Sequence, residues 1–189
     1  MSDFRPLPRT LSSTPAYRGR KVRVRRDLVA LADGSLREVD VVEHPGCAVV
    51  VPVDEAGQVL LLRQYRHAIG EWAIEVPAGG IDPGETPAAC AARELEEETG
   101  LRAGRLEPLG QFYTSDGVSN ELAHLFLARD LRAGIGRAEE GEHLEPFWVP
   151  LEEAVRLVRA GTIRCGPTAL ALLLADARLR HEAPGARSG

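Results

Sequence analysis

Four glutamates crowd one short stretch of this chain, at positions 94, 96, 97 and 98, directly after Arg93. On a helix of about 3.6 residues per turn, Glu94 and Glu98 stand one turn apart and Glu97 lies between them in angle. Three carboxylates therefore project from one side, and Glu96 points away. Grouped like charges raise each other's pKa and weaken the helix unless cations neutralise them. An all-oxygen face of this kind suits a hard divalent cation, Mg²⁺ first and Mn²⁺ as the alternative. Arg93, four residues before Glu97, is placed to hold a carboxylate by an ion pair. Gly79, Gly80 and Gly84 let the preceding loop turn tightly and bring its backbone close to an ion or a phosphate. A solvated acidic helix face is the plainer account of the glutamates taken alone.

The elements that must position this face carry local signals. Thr86 as N-cap, Pro87 in the first turn and Gly100 as a stop predict a helix over 87–99, with Ala88, Ala92, Leu95 and Thr99 lining the side towards a sheet. Upstream, 47–53 and 58–66 are nearly continuous apolar runs joined by DEAG, expected as a hairpin at the centre of the core. A short strand over 72–81 must stop at Pro77 and the two glycines. Two strands, 17–31 and 36–43, are predicted around the turn ADGS, with residues 1–16 as an irregular arm. Strands at 106–113, 121–128 and 144–149 and helices at 151–160 and 167–180 follow, then a disordered tail over 182–189. Strands outnumber helices in a mixed order, which predicts an α+β sandwich rather than a doubly wound sheet.

Composition narrows the class. A chain of 189 residues with 44% hydrophobic content is sized for one main domain. A net charge of -5 gives no reason to expect nucleic acid or an anionic membrane surface as partner. No apolar run approaches a membrane span and the first residues carry no apolar signal segment, so a cytoplasmic protein is expected. Cys47, Cys90 and Cys165 show no paired or metal-ligand spacing, which fits inert thiols in a reducing compartment.

From Gly79, five residues lead to Glu85, and seven more lead to Arg93-Glu94-Leu95, then Glu97-Glu98, Gly100 and Leu101. Every fixed position of this spacing resembles the Nudix box, and a match at so many positions is specific. The resemblance implies a Nudix-type α/β/α sandwich of mixed sheets and hydrolysis of a diphosphate linked to a nucleoside. It also implies Glu94 and Glu98 as principal metal ligands, Glu97 as a further ligand and catalytic group, the Ala78 carbonyl as another ligand, and Arg93 and Glu85 as orienting partners.

Between about residues 17 and 175 the chain is similar to the ADP-ribose pyrophosphatase branch, through RQYR (63–66), EVPAGGID (75–82), YTSDGVSNE (113–121) and EEGEHLE (139–145). That similarity implies Mg²⁺-dependent cleavage of ADP-ribose or a related nucleoside diphosphate sugar to a nucleoside monophosphate and a sugar phosphate. It implies Glu140 as general base, with Glu139 as the neighbouring alternative, and Glu142 as an additional metal ligand; an ordinary exposed acidic loop is the competing account. Arg66 is a candidate phosphate contact, Glu75 a candidate for the nucleoside or ribose, and Trp72 a candidate stacking surface, against a strand-end arginine and a core tryptophan. The branch uses an amino-terminal strand pair to build an intertwined homodimer, so residues 1–45 are expected to dimerise, with Arg-rich 18–26 reaching a partner's site, and 46–181 to form the catalytic domain. The branch usually has Pro where this chain has Asp116, which keeps GDP-mannose in play, beside a non-catalytic nucleotide-sugar-binding module.

Overall fold

The computed structural model describes residues 7–136 and 143–182. They form two compact units, one made of the described residues up to Pro45 with Tyr113–Leu122, the other of the remainder.

The first unit is an antiparallel sheet in the order β1 (Arg9–Arg18), β2 (Arg23–Ala30) and β3 (Leu36–Glu43). β2 and β3 run from Arg23↔Glu43 to Ala30↔Leu36, so a strand pair does flank the ADGS turn. Residues 17–22, expected at the start of that pair, instead finish β1 and turn into β2. The irregular arm predicted over 1–16 is corrected from Arg9 onward, where β1 is a strand exposed along its whole length. Its Ser/Thr-rich sequence lacks apolar alternation, and what makes it a strand is the ladder that β2 offers. Pro15 has no N–H to give, and the register breaks beside it, between Pro15 and Tyr17, as well as between Thr10 and Ser12. Asp27 on β2 clamps the pair: Ser13 Oγ donates to it at 2.6 Å and Arg25 Nε at 3.1 Å. The Ser13 hydrogen bond, with Arg25, holds this carboxyl below its ordinary pKa. Tyr113–Leu122 attaches to β3 where Val42 N–H donates to the Val118 carbonyl at 2.8 Å.

The second unit holds two sheets. β4 (Cys47–Pro52) pairs antiparallel with β7 (Ala78–Gly80) and parallel with β9 (Leu122–Ala133), and β8 (Leu101–Tyr113) completes the order β7-β4-β9-β8. The other sheet has the order β10-β5-β6, from β10 (Leu144–Pro150), β5 (Gln58–Arg66) and β6 (Glu71–Glu75). The hairpin expected between 47–53 and 58–66 is therefore corrected: β4 and β5 are neighbours in sequence but belong to different sheets, joined by the single bridge Val53↔Val59. Two runs that are apolar on both faces each need covering on both sides, which one shared ladder would not supply.

Alternation along β4 and β9 explains the layers. Val49, Val51, Leu125 and Leu127 pack with Ala171, Leu172 and Ala175 of α3 (Gly166–Glu182) and Ala154 of α2 (Leu151–Arg159). Ala48, Val50, Phe126 and Ala128 turn the other way, onto Cys90, Ala91 and Leu95 of α1 (Pro87–Thr99). The period of two in a strand thus places one helix on one face and two on the other, an α/β/α sandwich of mixed sheets. Glu182, expected to begin a tail, closes α3 and pairs with Arg129 at 2.9 Å, and 183–189 lie outside the described residues. Among the described residues, no helix is long and apolar enough to cross a membrane.

Leu95 is fully buried between α1 and β4. Leu95→Ala is expected to lower the unfolding free energy by about 2–5 kcal/mol in urea titrations, and a loss under about 1 kcal/mol would mean this face collapses to fill the space.

Candidate active site

The helix that carries the glutamates begins and ends on local chemistry. Thr86 is extended, and its hydroxyl accepts from Ala89 N–H at 3.2 Å; Pro87 opens the first turn, and Gly100, at φ 70°, ends it. The observed span, Pro87–Thr99, is the predicted one. Its buried face differs: Cys90, Ala91 and Leu95 meet the sheet while Ala88 and Ala92 are exposed. That rotation brings the Glu94 side chain inward, to 12% exposure, against the β7 backbone.

Gly79 makes this approach feasible. A Cβ on Gly79 would lie 2.0 Å from the Glu94 Oε1 atom, so any side chain there would displace the carboxylate. The requirement is for close backbone approach, since β7 is an ordinary strand at this point.

Arg93 organises the acidic groups. Its Nη1 donates to Glu94 Oε1 at 2.6 Å and to Glu97 Oε2 at 3.0 Å. Its Nε and Nη2 fork onto the two oxygens of Glu85 at 2.9 and 3.0 Å, and Nη2 also donates to the Gly80 carbonyl at 3.0 Å. One planar cation thereby ties the loop to the helix, which a compact ammonium could not do in the same geometry. The Arg93 hydrogen bonds lower the Glu85 pKa to about 2, aided by Asp82 N–H donating at 3.1 Å. Arg93 rises in turn, chiefly through Glu85. Burial, with the Glu85 charge, pushes the Cys90 thiol up to about 12, so it remains protonated beneath this array.

Glu98 is held separately, accepting from Ala78 N–H at 3.0 Å. Glu94 thus presents its carboxylate beside Gly79 and Glu98 beside Ala78, with Glu97 joined to Glu94 through Arg93. Among the described residues no three metal-ligating side chains are already gathered as a metal site, and Arg93 Nη1 lies against Glu94 and Glu97. The donor type fits a hard divalent cation. A cation shared by these glutamates would take over the Nη1 contacts and leave the Glu85 fork in place.

Two of the expected substrate contacts prove to be partners of each other. Arg66 forks onto Glu75, with Nε 3.2 and 3.1 Å from the two carboxylate oxygens and Nη2 in close contact with Oε2. Burial works to lower the Arg66 pKa, but Glu75 and the nearby Glu98 charge leave it raised. The core account of Trp72 does not hold: on edge strand β6 its side chain is exposed, packed edge-to-face on Tyr65 with ring centroids 5.9 Å apart. Beside these residues lies a cavity of ≈ 540 Å³ that also takes Thr162, Arg164 and Cys165 from the link between α2 and α3. Sequence reasoning missed these three, and no local signal marks them. Glu139, Glu140 and Glu142 lie outside the described residues. Asp116 sits exposed in the turn where the Ser115 carbonyl accepts from Val118 and Ser119 N–H.

Comparison with known proteins adds to this geometry. The NUDIX domain profile matches residues 43–164. An ADP-ribose pyrophosphatase of Bacillus subtilis (strain 168) is 34% identical over 166 residues, covering 87% of this chain and 90% of that protein. A GDP-mannose pyrophosphatase of Cronobacter sakazakii (strain ATCC BAA-894) is 38% identical over 138 residues, 67% of this chain and 71% of its own length. A solved structure described as an ADP compounds hydrolase shares the fold, with a TM-score of 0.85 over 96% of this chain and 99% of that one, at 23% identity.

The lowered pKa of Glu85 has a measurable consequence. A carboxyl more acidic in the folded chain than its ordinary 4.5 stabilises fully above that value, and the contribution is lost as pH falls towards 2. In urea unfolding, the stability advantage of the wild type over Glu85→Gln is expected to be largest above about pH 5 and to shrink steadily below it; a difference constant with pH would contradict the Arg93 fork.

Proposed function

This chain belongs to the NUDIX domain family, and on that premise we propose that it hydrolyses the diphosphate bond of ADP-ribose or a related nucleoside diphosphate sugar. The products are a nucleoside monophosphate and a sugar phosphate, which for ADP-ribose are AMP and ribose 5-phosphate. The observation that carries this reading is the carboxylates of α1, with Glu94 drawn against the Gly79 backbone, Glu94 and Glu97 braced by Arg93, and Glu98 held by Ala78 N–H. Enzymes of the family generally use divalent metals, and Mg²⁺ is the cation assigned here, with Mn²⁺ as substitute.

Glu94, Glu97 and Glu98 would hold the cation, with the Ala78 carbonyl and Glu142 as additional ligands. Its chemistry at that place is neutralisation of diphosphate charge and acidification of water. Arg93 and Glu85 keep the glutamates in register. Arg66, whose pKa burial lowers but the Glu75 contacts and the Glu98 charge help to raise, offers a guanidinium to a phosphate oxygen, an exchange that its partner Glu75 must permit. Water oxygen bonds to phosphorus, the bridging P–O bond breaks, and the departing phosphate leaves with the electron pair. Glu140, or its neighbour Glu139, accepts the proton from the water. Residues 1–45 serve dimerisation and 46–181 catalysis, in a cytoplasmic homodimer.

Hydrolysis of GDP-mannose is the second reading, favoured by the similarity to a GDP-mannose pyrophosphatase and by Asp116, an anion where the ADP-ribose branch usually has Pro. Product release across ADP-ribose, GDP-mannose and nucleoside triphosphates, with Mg²⁺ and with chelator, separates the two. The expected result is chelator-sensitive cleavage of a nucleoside diphosphate sugar, with Glu98→Gln lowering kcat about 100-fold through lost electrostatic stabilisation. Full activity of Glu98→Gln would remove its metal role, and ligand binding with no product would favour a non-catalytic module.

A further inference from the structure

Among the described residues of the second unit, the polar side chains that are buried belong to Glu75, Glu94 and Thr168, and Thr168, at 1% exposure, takes no part in the chemistry above. It stands in the first turn of α3, where Ala169 N–H donates to the Cys165 carbonyl at 2.9 Å. Its hydroxyl accepts from Val76 N–H at 3.3 Å, across 92 residues of sequence. Burial raises the pKa of the Cys165 thiol, and hydrogen bonds from the Thr168 side chain and N–H lower it, so the hydroxyl that accepts from Val76 donates to sulfur. Both its donor and its acceptor capacity are thereby used.

The position of Val76 explains why a hydroxyl is buried there. β6 leaves its ladder after Glu75, whose partner is Leu62, and β7 joins the other sheet at Ala78, opposite Val49. Val76 and Pro77 cross between the two sheets, outside either ladder, and a buried donor left unmatched there is costly. Thr168 meets it. Pro77 has no N–H to place, and its carbonyl accepts from Val50 N–H at 2.9 Å. The crossing is stiff, because the proline ring fixes φ at 77 and confines the residue before it, here a β-branched valine, to extended backbone. A rotation of the peptide at Val76 is therefore passed on to Ala78 and Gly79 rather than absorbed. Those two residues meet the glutamates: Ala78 N–H donates to Glu98 at 3.0 Å, and Gly79 lies against Glu94.

We infer that Thr168 is a positioning residue for the carboxylate face, setting the 76–79 backbone against which Glu94 and Glu98 rest. α3 packs on the face of β4 opposite α1, so this hydroxyl ties the far helix layer to the site through one crossing segment. The inference rests on the reading of Glu94, Glu97 and Glu98 as holders of a cation, and part of its test is free of that reading.

Thr168→Val keeps the shape of the side chain and removes the hydroxyl, whereas Thr168→Ser keeps the hydroxyl. In folded Thr168→Val, calorimetric titration is expected to give a Mn²⁺ affinity about tenfold below wild type. Amide exchange at Ala78, followed by nuclear magnetic resonance, is expected to quicken at least about tenfold beyond any change in the β9 amides. Thr168→Ser is expected to return both to within about threefold of wild type. Val59→Ala, which opens a cavity elsewhere in the same core, is expected to cost stability and leave Mn²⁺ affinity alone. Should Thr168→Val not fold, Thr168→Ala carries the same expectation. Unchanged Mn²⁺ affinity, Ala78 exchange that quickens no more than that of β9, or a loss of affinity equalled in Thr168→Ser or Val59→Ala would each overturn the assignment. A wild type that takes up no Mn²⁺ would defeat the cation reading, and Ala78 exchange would still decide whether Thr168 seats the segment.

Discussion

One guanidinium holds the candidate site together. Arg93 spans Glu85 on the loop, Glu94 and Glu97 on the helix and the Gly80 carbonyl, so each acidic group is oriented by the same rigid fork. Without it, Glu94 and Glu97 would repel each other and turn outward to solvent. With it, Glu94 and Glu97 are drawn to one guanidinium while Ala78 N–H holds Glu98, and the desolvation of a 12%-exposed Glu94 is offset by a charge-assisted hydrogen bond. Arg93 therefore serves folding and chemistry through the same contacts.

The sheet sets where that fork can sit. β4 buries side chains on both faces, sending Ala48 and Val50 to α1 and Val49 and Val51 to the cluster with α3. Small residues on the α1 side, Ala48 from the strand with Cys90 and Ala91 from the helix, allow a close approach. β7 flanks β4 in the same sheet, which lays Gly79 beside Glu94 and Ala78 beside Glu98. Core packing and the placement of the carboxylates are thus one geometric solution, and Leu95, between two of the glutamates in sequence, belongs to both.

Local chemistry was readable in the sequence, and long-range choice was not. Thr86, Pro87 and Gly100 announce the bounds of α1 because capping and helix termination depend on neighbours within a few residues. The Nudix spacing named Glu85, Arg93, Glu94, Glu97 and Glu98, and the fold brings them together around one loop and one helix. Which strands share a sheet is a different matter: β4 and β5 carry similar apolar runs, and nothing in either run states that β9 and β10 will be their respective partners. β1 was missed because a Ser/Thr-rich edge strand draws its order from β2. The sequence marks Arg66 and Glu75 separately, and their mutual fork follows from the pairing of β5 with β6. An indole between a strand and a proline turn is ordinarily core, and only the edge position of β6 exposes Trp72.

The account stands on the fork geometry of Arg93, beyond its charge. Calorimetric titration of Mn²⁺ into Arg93→Lys and wild type, with both first shown to be folded, tests that most directly. A lysine keeps the charge but cannot span Glu85 and the helix glutamates together, so Mn²⁺ affinity is predicted to fall at least about tenfold. Equal affinity in the two proteins would show that the glutamates find their places without the guanidinium and would contradict the account.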